Sequence, residues 1–131
     1  MNYCLDTSTV IAYFRKQQSI IDKLNQIDWQ STYITVVSIG ELEVGYFFQS
    51  RKEGEQKRRE FYSFIKRLSG VWSIDQEVAI EFGRIKADLK KKNQLVGDND
   101  TWVAAICNVN KATLVTANKE HFKRVEGLKL F

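Results

Sequence analysis

Three carboxylates stand where the chain changes character from strand-like to helix-like: Asp6, Glu41 and Asp100. Asp6 follows the apolar run Tyr3-Cys4-Leu5 and precedes Thr7, Ser8 and Thr9, residue types that suit a helix N-terminus. Glu41 closes Ser38-Ile39-Gly40-Glu41, just after the β-branched run Tyr33–Val37. Asp100 lies in Gly97-Asp98-Asn99-Asp100, the polar mouth of an apolar segment that runs from Trp102 to Val109. Carboxylates brought together repel: two at ~4 Å cost about 4 kcal/mol at an effective dielectric near 20. A divalent cation removes that cost, and all-oxygen ligands select Mg²⁺ or Mn²⁺ over zinc. With one histidine, His121, and two cysteines without paired spacing, a structural zinc site is not expected.

Each acid also has an ordinary structural role open to it. Asp6 can cap the helix that follows it, and Ser38 with Glu41 fits a capping box. Asp98 or Asn99 can accept from free backbone N–H groups, while Asp100 sits well against the positive end of a helix. Residue types at these positions leave both readings standing. His121 reads as a surface or packing residue, and Cys4 and Cys107 as buried free thiols.

The elements that would bring the acids together alternate along the whole chain. Strands are expected over 2–5, 33–37, 71–74, 112–116 and 128–131. Between them, helical spacing covers Val10–Phe14, Ile20–Ile27, Leu42–Phe48, Arg51–Leu68 and the segment capped by Asp75, with Gly70 as a helix stop. The segment after Gly97 is apolar nearly all round, which predicts a buried helix. Lys119–Phe122 reads as one helical turn. Gly40 and Gly45 are poor helix formers, and suggest close approach of another backbone or of a ligand. Alternation of this kind predicts a mainly parallel sheet with helices on both faces, in which the C-terminal strand ends share one edge and ligands bind there. Asp6, the residues after Val37, and Thr116 with Asn118 would meet at that edge, and the mouth of the buried helix can join them.

Composition sets the outer bounds. The 131 residues, 44% apolar and 27% charged, suit one globular domain over 1–131. No apolar run reaches the length of a membrane span and the first residues lack the regions of a signal peptide, so the expected location is the cytoplasm. The net charge of +4 hints at an anionic partner. Arg51–Arg67 concentrates seven basic residues against three acidic ones. Such a face is commonly only solvated, and otherwise suits an RNA or an acidic partner; Lys57, Arg58 and Arg59 are the candidates for phosphate contacts if the partner is RNA.

Four ordered motifs carry a family resemblance. They are Leu5-Asp6-Thr7-Ser8, Val37-Ser38-Ile39-Gly40-Glu41-Leu42, Val96-Gly97-Asp98-Asn99-Asp100 with Ala104-Ala105, and Thr113-Leu114-Val115-Thr116-Ala117-Asn118 with Phe122. Together they span nearly the full length, and the chain resembles PIN-domain ribonucleases, specifically the VapC-type toxins of toxin–antitoxin pairs. The resemblance implies an α/β fold, a PIN-like three-layer α/β/α sandwich around a mainly parallel five-stranded sheet. It implies Mg²⁺-dependent endoribonuclease activity, with Mn²⁺ able to substitute, that leaves a 5′ phosphate and a 3′ hydroxyl. Initiator tRNA is a common substrate in the family, a VapB-type antitoxin the expected partner, and a homodimer the expected assembly. Asp6, Glu41 and Asp100 fall on the metal-binding, catalytic acids; Ser8, Asp98, Thr116 and Asn118 fall on supporting positions. Two departures stand out: Asn118 occupies a position that is often a fourth acid, and Ser8 one that is often Asn. The first keeps open a catalytically weak, RNA-binding PIN domain. A phosphatase or receiver using Asp6 as nucleophile fits less well, because no second Asp follows Asp6 by two residues.

Overall fold

The computed structural model describes residues 1–131. Five short strands form one sheet, β1 (Asn2–Leu5), β2 (Thr32–Thr35), β3 (Gly70–Trp72), β4 (Ala112–Val115) and β5 (Lys129–Leu130), in the order β3-β2-β1-β4-β5. Every pairing is parallel, so the sheet is wholly rather than mainly parallel. Parallel neighbours need crossovers, and seven helices supply them: α1 (Thr7–Phe14), α2 (Gln18–Asn25), α3 (Val36–Phe48), α4 (Arg51–Lys66), α5 (Gln76–Lys91), α6 (Asp98–Val109) and α7 (Lys119–Phe122).

Strand alternation divides the core in two. Cys4 and Leu114 point to one face and pack with Val78, Ile85 and Leu89 of α5 and Val103 to Cys107 of α6. Leu5, Ile34 and Val115 point to the other and meet α1, α2, α3 and α4 through Val10, Leu24, Leu42, Phe61 and Phe64. The chain thus forms three layers, with α6 as the most deeply buried helix, as its apolar sequence predicts. Cys4 and Cys107 are buried and free.

Several boundaries differ from the sequence expectation, each for a local reason. β2 ends at Thr35, not Val37, because the Thr35 hydroxyl accepts from the Ser38 N–H at 3.2 Å and opens α3 two residues early. Tertiary context here overrides the strand preference of Val36 and Val37. The Ser38–Glu41 capping box is therefore not formed: Ser38 lies inside the helix, and its buried hydroxyl has no protein partner. Gly70 does not stop a helix; α4 ends at Lys66, and Gly70 opens the edge strand β3, where Tyr33 stacks on Trp72. Neither Gly40 nor Gly45 is approached by another part of the chain. The close approach is at Gly54 instead, where an added Cβ would lie 2.2 Å from the Tyr46 carbonyl oxygen.

The connection reverses beside β1. From β1 the chain winds one way to β2 and β3, then returns to β4 and β5 on the other side. The C-terminal ends of β1 and β4 therefore diverge into a crevice at the point where strand order switches.

Candidate active site

Asp6 is the first residue beyond β1, at this switch point, and is 4% exposed. An isolated buried carboxylate would be costly, so its oxygens need donors. Oδ1 accepts from the Thr9 N–H and the Ser8 hydroxyl, each at 2.9 Å. Oδ2 accepts from the Thr116 hydroxyl at 2.5 Å, across the switch from β4. Asp6 thus does cap α1, and its second oxygen is held from the end of β4. The Thr116 hydroxyl accepts in turn from the Asn118 N–H at 2.9 Å, which fixes the loop after β4.

Glu41 lies on the second turn of α3 and is partly buried; its Oε1 accepts from the Thr7 hydroxyl at 2.6 Å. That bond ties α3 to the start of α1, one residue from Asp6. Asp100 lies in the first turn of α6, where neither Asp98 nor Asn99 caps: Gly97 is the N-cap and no side chain caps the helix. Burial pushes the Asp100 carboxyl above the usual carboxylate range; His121 pulls the other way, and the charges of Glu41 and Asp6 push it further up. The charges of Glu41 and Asp6 therefore reach Asp100, although Asp6 and Asp100 lie 94 positions apart in the chain.

Among the supporting positions, Ser8, Thr116 and Asn118 join the hydrogen-bonded frame. Asp98 does not: it is paired with Lys86 of α5 on the outer side of the helix mouth and is 67% exposed. His121, expected at the surface or in packing, stands in the site with Nδ1 3.1 Å from Asp100 Oδ2. Thr7 and His121 were not distinguishable as site residues by type or spacing. Only the adjacency of Thr7 to Asp6 marked it, and nothing marked His121.

The three candidate RNA contacts separate in space. Lys57 lines an open groove of roughly 400 Å³ with Glu41, Arg15, Gln49 and Tyr46. Arg59 lies at a neighbouring hollow with Tyr13, Phe14 and Arg67. Arg58 is committed elsewhere: its Nε donates to both Glu43 oxygens at 2.8 and 3.2 Å, and Tyr62 donates to Glu43 at 2.9 Å. The bound guanidinium holds the Glu43 carboxyl below its ordinary range.

The donor chemistry suits a hard divalent cation: carboxylates at one crevice, hydroxyls around them, and the unpartnered Ser38 hydroxyl one turn before Glu41. No three carboxylate, imidazole or thiol groups stand close enough to grip one ion directly. The arrangement fits an ion that keeps part of its water shell, as Mg²⁺ does.

Comparison with known proteins agrees with this geometry. Residues 3–128 match the PIN domain family. "Ribonuclease VapC1" of Methanocaldococcus jannaschii is 30% identical over 129 residues, covering 97% of this chain and 85% of the relative. The "tRNA(fMet)-specific endonuclease VapC" of Salmonella typhimurium is 28% identical over 131 residues, covering 99% and 96%. Among solved structures, DNA-bound VapBC from Salmonella typhimurium superposes with a TM-score of 0.88 at 26% identity, covering 100% of this chain and 97% of the other. An all-parallel sheet, a carboxylate at its switch point and full-length similarity to these proteins give one conclusion: the chain belongs to the PIN-domain family, on the branch of the VapC-type ribonucleases.

Proposed function

We propose that this protein is a divalent-metal-dependent endoribonuclease toxin, restrained by a VapB-type antitoxin, with Asp6, Glu41 and Asp100 as its metal-binding and catalytic acids. The observation that carries the reading is the frame that gathers the acids at the switch point of the sheet: Thr7, next to Asp6, donates to Glu41, Thr116 donates to Asp6, and the loop after Thr116 brings His121 against Asp100. Relatives named as VapC ribonucleases and neighbours solved as VapBC complexes support the reaction and the partner. The relative named for tRNA(fMet) makes initiator tRNA the first substrate to test.

Bound Mg²⁺ or Mn²⁺ would supply Lewis acidity toward the phosphoryl oxygen and a water acidic enough to attack it. The chain's own part is orientation. Ser8, Thr9 and Thr116 fix both Asp6 oxygens, and Thr7 fixes Glu41. Arg15 and Lys57 bring positive charge to the groove that Glu41 lines, where a polyanion needs it. No side-chain nucleophile is required. The expected products carry a 5′ phosphate and a 3′ hydroxyl.

Asp6→Asn, Glu41→Gln and Asp100→Asn test the assignment against cleavage of initiator tRNA with Mg²⁺ and with EDTA. Each variant is expected to fold and to lose cleavage, because like charges are removed but so are the ligands. Near-normal cleavage by Asp100→Asn would refute it. RNA binding by the unaltered protein without cleavage at any Mg²⁺ concentration would replace it with the reading of a catalytically weak RNA-binding domain.

A further inference from the structure

A second depression opens on the opposite side of Asp6 from the groove that Glu41 and Lys57 line. The Glu41 groove is built on α3, which follows β2, and the second depression on the loop after β4. Since β2 and β4 are the two neighbours of β1, the depressions flank the end of β1, where Asp6 stands. The second is an open hollow of about 530 Å³ between the start of α2 and that loop. Gln17, Ser19 and Lys23 form one wall, and Thr116, Asn118 and Lys119 the other. Thr116 is the residue that holds Asp6, so the hollow begins one hydrogen bond from the candidate active site.

The hollow carries positive charge that the chain itself does not neutralise. Neither Lys23 nor Lys119 pairs with a carboxylate side chain. Lys23 is instead held in place: its Nζ donates to the Phe131 carbonyl oxygen at 3.1 Å and lies 5.1 Å from the centre of that ring. Burial, and then the charge of Lys119, hold the Lys23 ammonium below its ordinary range. Two cations that repel each other in one hollow are relieved when an anion joins them. Glu120, the one acid on the rim, is already bound by Lys123 at 2.6 Å. The acids of the site make the same demand from their side. RNA that lays one phosphate against Asp6, Glu41 and Asp100 brings the flanking phosphates with it, and Arg15 and Lys57 meet only those on the β2 side.

We infer that the Lys23–Lys119 hollow is a phosphate subsite for the RNA, holding the strand on the β4 side of Asp6 while Arg15 and Lys57 hold it on the β2 side. The inference rests on the endoribonuclease reading above and adds to it the course of the strand through the site. Lys23 is the fixed contact, and Lys119, exposed at the start of α7, the adaptable one. Gln17 and Ser19 add neutral donors along the same wall. Lysines suit this task, because an ammonium meets a phosphate as a point charge and positions the strand without reading its sequence.

The experiment measures, across a salt series, the binding of a fluorescein-labelled single-stranded oligoribonucleotide that spans the cleavage point found with initiator tRNA. The full-length protein carries Asp6→Asn, so that the RNA stays intact. Adding Lys119→Ala is expected to lower the slope of log affinity against log salt by up to about 0.7, and Lys23→Ala by a similar amount. Lys119→Arg should keep the slope, as should Lys111→Ala at the far end of β4. Lys119 is exposed and outside the hydrogen-bonded frame, so its variants decide the matter even where Lys23→Ala loosens Phe131. An unchanged slope for Lys119→Ala, with RNA still bound, would overturn the inference and leave in place the endoribonuclease reading, which cleavage by the unaltered protein tests separately. Neither binding nor cleavage of RNA by the unaltered protein would overturn both. The opposed placement has its own readout. With the oligonucleotide shortened on one side of the cleavage point, only one of Lys57→Ala and Lys119→Ala should still weaken binding, and shortening the other side should exchange them. Identical responses of the two variants would overturn the course of the strand.

Discussion

Replacing Thr116 by Val tests whether the frame around Asp6, and not merely its charge, sets the chemistry. Valine matches threonine in shape, so the 1% exposed site stays filled, but the 2.5 Å bond to Asp6 Oδ2 is lost together with the 2.9 Å bond accepted from the Asn118 N–H. A hydrogen bond to a charged group is worth about 1.5–3 kcal/mol and a neutral one about 0.5–1.5 kcal/mol. Unfolding entropy near 2.1 cal/mol/K per residue gives about 0.28 kcal/mol/K for 131 residues, so Tm should fall by about 7–16 °C. Asp6 keeps its bonds from Ser8 and Thr9 through Oδ1. Its carboxylate stays in place but gains freedom to turn. Loss of such an orienting partner typically costs ~10- to 100-fold in metal affinity or activity. Calorimetry of the metal-free protein reads the first effect, and single-turnover cleavage across a Mg²⁺ titration reads the second. Thr116→Ser restores the hydroxyl and should recover most of the activity. A folded Thr116→Val protein with unchanged cleavage would show that the Thr116 hydroxyl does not position Asp6 for the reaction.

Three further outcomes follow from the same geometry. Asp98→Asn should leave cleavage close to normal, since Asp98 pairs with Lys86 at the surface; a loss as large as that of Asp100→Asn would place Asp98 in the site after all. In the inactive Asp6→Asn background, Lys57→Ala should flatten the salt dependence of RNA binding by up to about 0.7 log units, whereas Arg58→Ala should leave the slope alone and lower stability by freeing Glu43; equal slopes for the two would argue against the division seen here. Gly54→Ala should destabilise by about 1–2 kcal/mol in urea unfolding, because overpacking against the Tyr46 carbonyl outweighs the ~1 kcal/mol gain in helix propensity, and a rise in stability would contradict the contact.

The fold was legible because every layer of the sequence points the same way. Strand-like and helix-like segments alternate, and α6 is apolar on nearly all sides, so a parallel sheet with a buried crossover helix follows. Asp6 and Asp100 stood out as candidates because one sits just past a strand and the other at a helix mouth, whereas Glu41 lies on the second turn of α3 and stood out through the motif around it. What escaped depends on atoms that sequence spacing does not place. The Ser38–Glu41 motif matched a capping box, yet Thr35 took the capping role and turned Glu41 toward Thr7. Asp98 and Asp100 are alike by type; only the position of Lys86 on α5 separates them. Lys57, Arg58 and Arg59 are consecutive, but a helix turns adjacent side chains about 100° apart, so one meets the groove and the next meets Glu43. His121 carries no periodic or spacing signal at all. It enters the site through a turn whose geometry is set by Thr116 and Phe122.

The three acids are also unequally provided for, and this bears on how the site tolerates its own charge. Asp6 is the most buried, and three protein donors satisfy it. Glu41, less buried, has one donor in Thr7. Asp100 has no hydroxyl or backbone donor; its one polar neighbour is His121, and its carboxyl is raised by burial and by the other two acids. The protein thus offsets the cost of its deepest carboxylate with permanent hydrogen bonds, and leaves the shallower one at the mouth of α6 under-compensated. On the proposed metal-dependent reading, a cation arriving from solvent would meet that carboxylate at the more open side of the crevice. Asp6 would then be a fixed wall of the site, and Asp100 the place where a bound ion relieves the most unfavourable energy.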